Sequence, residues 1–238
     1  MSNKIESMNR VIDSYYPENN FSKPIYDGFM NYDKYRDSKI KILWVLKEAY
    51  DSVDEDTNAF GGGWHLGEML EKRRKLTSPT HIMMAQISHC INKDIDKTEK
   101  KELDNIRMNV NSLNDMLSTA YINVKKYPGK TKSNAKDISR SYSRTKDLLF
   151  RQINIIAPDI ILFGVGDLFD LEIRNDLLLE RQEMKWVGKA SYYNWGNRLI
   201  IEVQHPGMPG NDKAIFINDI LAIVNSWREG FCLTTASN

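Results

Sequence analysis

Four short apolar runs stand out along the chain: residues 40–46 (IKILWVL), 119–124 (TAYINV), 159–163 (DIILF) and 198–203 (RLIIEV). Short continuous runs of this kind predict buried strands. The long segments between them exclude simple hairpins joining these runs, so parallel pairing through helical crossovers is the economical arrangement. Residues 137–157 place Ile138, Tyr142, Leu149, Ile153 and Ile156 on one helical face, and Pro158 ends that helix. A last helix is expected from Asn211 or Asp212 as N-cap, with Phe216, Ile220, Ile223, Val224 and Trp227 on its inner face and Gly230 at its C-terminus. Residues 64–75, 79–92 and 98–118 also read as helices, residues 1–38 as helical with a turn around Pro17 to Pro24, and residues 183–197 as a hairpin turning near Gly196-Asn197. The pattern predicts a single α/β domain over residues 39–230, with a helical extension (1–38) packed on it and a short tail (231–238).

Composition narrows the picture. A chain of 238 residues with 41% hydrophobic and 27% charged residues suits one globular domain. The first twenty residues lack the apolar stretch of a signal peptide, and no run approaches a membrane span. Cys90 and Cys232 are too few for a disulfide scaffold or a four-cysteine cluster, so a reducing cytoplasm is expected. The net charge of +1 is low for a nucleic-acid-binding protein, but it is segregated. Lys125, Lys126, Lys130 and Lys132 fall in one segment without an acid, and Arg140, Arg144 and Lys146 come soon after; Asp51, Asp54, Glu55 and Asp56 form an acidic loop.

The residues just beyond each strand carry the candidate chemistry. Lys47-Glu48-Ala49-Tyr50 comes after the first run; Asn123 ends the second, ahead of the lysines; Gly164-Val165-Gly166 comes after the third; and Gln204-His205-Pro206-Gly207 after the fourth. The carboxyl ends of parallel strands share one edge, where ligands bind in open α/β sheets. A carboxylate, an amide and an imidazole therefore converge from distant parts of the sequence.

These segments resemble the uracil-DNA glycosylase superfamily, especially the branch with a Gly-Glu-Ala-Pro-Gly first motif. That motif corresponds to Lys47-Glu48-Ala49-Tyr50-Asp51, with Lys47 in place of a glycine and Tyr50 in place of a proline. A Phe-x-Gly segment corresponds to Phe60-Gly61-Gly62, and the strand ending in Asn-Val-x-Lys before a Pro-Gly loop to Asn123 through Gly129. Pro158-Asp159 through Gly164 matches a further motif, and His205-Pro206-Gly207 the closing one. The iron–sulfur cysteines of that branch are absent from the sequence, whose order and spacing agree with the family from about residue 40 to 228. The resemblance implies a three-layer α/β/α domain with a central four-stranded parallel sheet and a monofunctional DNA glycosylase without metal or redox cofactor. Its partner is single- or double-stranded DNA, and the protein is expected to be a monomer. The role that the resemblance implies is repair of deaminated bases or attack on modified bases in foreign DNA.

Hydrolysing an N-glycosidic bond builds positive charge on the sugar and negative charge on the departing base. It needs a carboxylate by the sugar, a donor at the base oxygen, an aromatic face and an amide to read the base edge. By resemblance, Glu48 is the carboxylate, His205 the donor, Asn123 the reader and Phe60 the stacking ring, with Tyr50 against the pocket floor or the sugar. Lys125, Lys126, Lys130 and Lys132 suit phosphate contacts. The Gly207-Met208 turn presents one apolar side chain, as a wedge for the gap left by a flipped base would. Blander readings stand beside these. Glu48 as a helix N-cap, His205 bonded to a turn backbone, Asn123 satisfying a loop, Phe60 as a loop or core aromatic, Met208 as an ordinary exposed side chain and the lysines as solvated surface all fit the sequence. Gly129-Lys130-Thr131 imitates a phosphate-binding loop, but Val124 stands where its first glycine must be. His81 and His89 have no partner at metal-site spacing. A catalytically silent nucleic-acid-binding module and a hydrolase of free nucleosides or nucleotides are the competing functions.

Overall fold

The computed structural model describes residues 3–16, 23–51, 61–108, 112–129, 132–179, 182–208 and 212–235, the side chains of 231–235 excepted. Among the described residues seven strands, β1 (Gly28–Phe29), β2 (Ile42–Tyr50), β3 (Ala120–Gly129), β4 (Ile160–Phe163), β5 (Lys185–Val187), β6 (Ala190–Trp195) and β7 (Arg198–Glu202), form one sheet in the order β1-β3-β2-β4-β7-β6-β5. The four apolar runs become β2, β3, β4 and β7, which pair in parallel, β3 with β2, β2 with β4 and β4 with β7. The sheet is nonetheless seven-stranded and mixed, which corrects the expected four strands. β1 adds antiparallel to β3, while β6 and β5 extend β7 antiparallel. These three lie at or near the edges and are short or partly exposed, so no continuous apolar run marks them.

Nine α-helices occur among the described residues: α1 (Asn3–Tyr15), α2 (Tyr32–Arg36), α3 (Leu66–Glu71), α4 (Pro79–Asn92), α5 (Lys100–Met108), α6 (Ser112–Leu117), α7 (Ala135–Ile156), α8 (Arg174–Asp176) and α9 (Lys213–Thr235). A π-helical stretch, Phe169–Ile173, leads into α8. Side chains of β2 alternate between two cores. Ile42, Trp44 and Leu46 pack with residues of α3, α4, α6 and α9, and Leu43 and Val45 with residues of α1 and α7. Helices thus cover both faces of the sheet.

Several boundaries differ from the sequence reading. Residues 1–38 pack on the domain but are not wholly helical: α1 and α2 bracket β1, which belongs to the sheet, while Met8, Ile12 and Tyr16 join the α7-side core, and residues 17–22 of the expected turn lie outside those described. The segment 98–118 divides into α5 and α6, with residues 109–111 outside those described. Residues 64–75 yield only α3, capped by the His65 ring, whose Nδ1 accepts the Gly67 N–H at 3.1 Å. Residues 183–197 form β5 and β6 with a first turn at Gly188, and Gly196-Asn197 make the expected turn into β7. The Asp212 carboxylate accepts the Ala214 and Ile215 N–H groups as the N-cap of α9, which runs through Gly230 to Thr235 rather than ending at the glycine. No helix among the described residues is long and apolar enough to cross a membrane.

Candidate functional site

The chain leaves β2 for β3 on one side and returns through α7 to β4 on the other. The winding reverses between β2 and β4, opening a crevice at their carboxyl ends. β2 continues through Lys47, Glu48, Ala49 and Tyr50, and β3 through the first lysines to Gly129. Glu48 is therefore a strand residue, and the capping reading falls.

Glu48 stands opposite Lys125 in the parallel pair. Its side chain is only 4% exposed, and its carboxylate accepts a bond from the Lys125 ammonium at 2.6 Å. Between the Glu48–Lys125 and Tyr50–Gly129 pairs β3 carries two more residues than β2, a bulge that re-aims side chains next to the pair. Gly129 comes back against the carboxyl group so closely that a Cβ there would overlap it.

Asn123 is buried one strand away, on the same face of the sheet as Leu46, its pairing partner. The Tyr121 hydroxyl donates to its side-chain oxygen at 3.0 Å, leaving the NH2 end as the donor toward a ligand. Its backbone N–H donates to the Asp27 carboxylate at 2.7 Å. That carboxylate, fully buried, also accepts from Lys126 Nζ at 2.8 and 2.9 Å and from Gln152 Nε2 of α7 at 2.9 Å. The Lys126 ammonium further donates to the Asn123 carbonyl at 2.6 Å. Lys126 is consequently not a DNA contact: its three donors are spent inside the protein, where burial pushes its pKa down against the opposing pull of Asp27. No sequence signal pointed to Asp27, which lies in a segment without hydrophobic periodicity.

His205 lies just beyond β7. Its Nδ1 accepts the Gly207 N–H at 3.1 Å, and its carbonyl accepts the Met208 N–H at 2.7 Å. This fixes the tautomer with the proton on Nε2. Burial, and secondarily the Lys47 ammonium, lowers the imidazole pKa, so the ring is a neutral N–H donor. Lys47 reaches across to Gly166, where a Cβ would lie 3.4 Å from its Nζ. Gly164 explains how the histidine loop comes so close to β4: a Cβ there would meet Leu46 at 2.6 Å and Pro206 at 3.1 Å. The same loop abuts the first turn of α4, since a Cβ on Gly207 would lie 2.6 Å from the Thr80 hydroxyl. One residue on, His81 meets the Tyr121 ring edge-on at 6.2 Å, and burial drives its pKa down to about 4.

The fold thus brings Glu48, Lys125 and Asn123 together on adjacent strands. His205 lies two strands from β2, about 10 Å at the usual inter-strand spacing. Tyr50 is 63% exposed at the end of β2, beside the strand edge that carries Glu48. Met208 is 77% exposed, and Lys132 is exposed before α7. Phe60 and Lys130 lie outside the described residues. His89 pairs with Asp115 at 3.0 Å, and no group of three or more His, Cys, Asp or Glu among the described residues is placed to hold a metal ion. No family model matches the chain, and no curated protein matches it.

Proposed function

We propose that the chain is a monofunctional DNA glycosylase of the uracil-DNA glycosylase type, which hydrolyses the N-glycosidic bond of a flipped uracil-like or modified base. The observation that carries this reading is that one parallel sheet edge carries a carboxylate, an amide donor and, two strands away, an imidazole with its N–H on Nε2. The span between Glu48 and His205 suits a nucleoside with its sugar at the acid and its base toward the imidazole. In this arrangement Glu48 orients water and stabilises the oxocarbenium ion, and the Asn123 NH2 reads the base edge. His205 donates to the base oxygen as negative charge gathers there, a contribution of roughly 10²–10³ in rate for one such donor. Lys47 adds a positive potential beside that imidazole, which favours both the neutral ring and the departing anion. To act, Glu48 exchanges part of its bond to Lys125 for the sugar or water.

That closed ion pair favours a second reading, a nucleic-acid-binding module without chemistry. The two separate in a base-release assay on oligonucleotides carrying uracil, hypoxanthine or modified cytosines, with abasic sites read by alkaline cleavage. Release by the wild type and a loss of at least about a hundredfold in Glu48→Gln, with DNA binding retained, is the expected outcome. Binding without release from any substrate would leave the silent module.

A further inference from the structure

The ammonium that holds Glu48 also lines a second cavity. A cleft of about 390 Å³ opens between α1, the bulged end of β3 and α7, bounded by Tyr15, Tyr16, Tyr127, Lys125, Arg140 and Arg144. We propose that this cleft is a strand subsite that holds a nucleotide flanking the target, its phosphates on the two arginines and Lys125 and its base against the tyrosine rings. The assignment of that strand to DNA rests on the glycosylase reading.

The lining is cationic: it holds three basic side chains and a single carboxylate, Asp137. Arg140 and Arg144 stand one turn apart on α7, so they share a face. Arg144 is exposed and has no ion pair among the described residues. Arg140 meets Asp137 only at 3.5 Å, with both side chains more than half exposed, a pair that phosphate readily displaces. The inner part of the aromatic wall is tied to α7. The Tyr16 hydroxyl is bonded to Ser141 at 2.9 Å and to Thr145 at 3.1 Å, where α7 departs from helical angles (φ −131°, ψ 18°). Tyr127 meets the Tyr16 ring edge-on at 4.9 Å. Tyr16 is itself buried and backs Tyr127, so half-buried Tyr15 and Tyr127 are the rings that flank the opening. Aromatic rings interleaved with arginines along a groove are the chemistry that holds a single strand without reading its sequence. The position is apt as well: Lys125 belongs both to the cleft and to the Glu48 pair, so the cleft adjoins the candidate carboxylate.

The test is fluorescence anisotropy of a labelled, unmodified single-stranded oligonucleotide titrated with the full chain across a salt series, beside the base-release assay on the same preparations. The Arg140→Ala/Arg144→Ala variant should bind at least about tenfold more weakly at low salt, and its log–log salt slope should fall by about 1.4, the loss of two single-strand phosphate contacts. Arg140→Lys/Arg144→Lys should restore most of the affinity and the slope, and Tyr15→Ala should weaken binding with the slope unchanged. Affinity and slope within twofold of wild type in the alanine variant would overturn the subsite even if wild type releases a base. Loss of binding in that variant, with no base released by wild type, would keep the subsite and discard the glycosylase. A wild type that binds no oligonucleotide, or whose binding is competed equally by an acidic peptide, would also overturn it.

Discussion

At the scale of single residues, the buried Asp27–Lys126 pair separates structure from function most clearly. Asp27 carries four donated bonds in the interior, and two of them come from Lys126. Removing one member of such a pair strands a charge without solvent, so Lys126→Met should cost about 3–5 kcal/mol. Asp27→Asn/Lys126→Met together should cost less than the sum of the two single changes, a coupling that a double-mutant cycle by urea unfolding measures. The sequence presented Lys126 as one of several similar lysines. Nothing local distinguishes a lysine that meets phosphate from one that meets a carboxylate 99 residues away. Glu48, Asn123 and His205 were legible because each ends or succeeds an apolar run. Their partners Lys125, Tyr121 and Lys47 were not, because the pairings depend on register.

At the scale of elements, β2 and β3 form the part of the fold on which the candidate site depends. The bulge lets Gly129 pack onto the Glu48 carboxyl, and the space for a side chain is absent. Gly129→Ala should therefore displace the carboxylate or the strand end, destabilising by about 1–3 kcal/mol as overpacking does. Base release should fall further than stability alone explains, which comparison of kcat with the thermal midpoint reveals. Periodicity located all four parallel strands but ended two of them early, since Lys47-Glu48-Ala49-Tyr50 and the β3 lysines carry strand backbone under polar side chains. The antiparallel additions escaped for the opposite reason. β1 is two residues long and held by β3, so its sequence carries no pattern of its own.

At the scale of the whole molecule, three imidazoles whose pKa values are lowered in the fold make stability fall toward acid. Those of His65, His81 and His205 are lowered chiefly by burial, with His81 near 4. The unfolded chain takes up these protons first as pH falls below about 6.5, so the stabilisation is complete above that value. It declines as pH falls toward 4 and is exhausted once the folded His81 is itself protonated. His81 accounts for about 3 kcal/mol of that decline, from a shift of about 2.5 pH units at 1.36 kcal/mol each. Urea midpoints measured from pH 7 down to pH 4 should fall, and His81→Gln should flatten the curve.

The sheet also ends in a particular way. Its two outermost strands, β1 and β5, have two and three residues. Beyond β1 the rim of β3 is closed by side chain and loop, the Asp27 carboxylate taking the Asn123 N–H and Ile25 donating to the Lys126 carbonyl at 2.9 Å. An open row of backbone donors and acceptors is a template for another chain, and short or covered edges deny it. The described rims thus carry, in their shortness and cover, a protection against strand-by-strand aggregation.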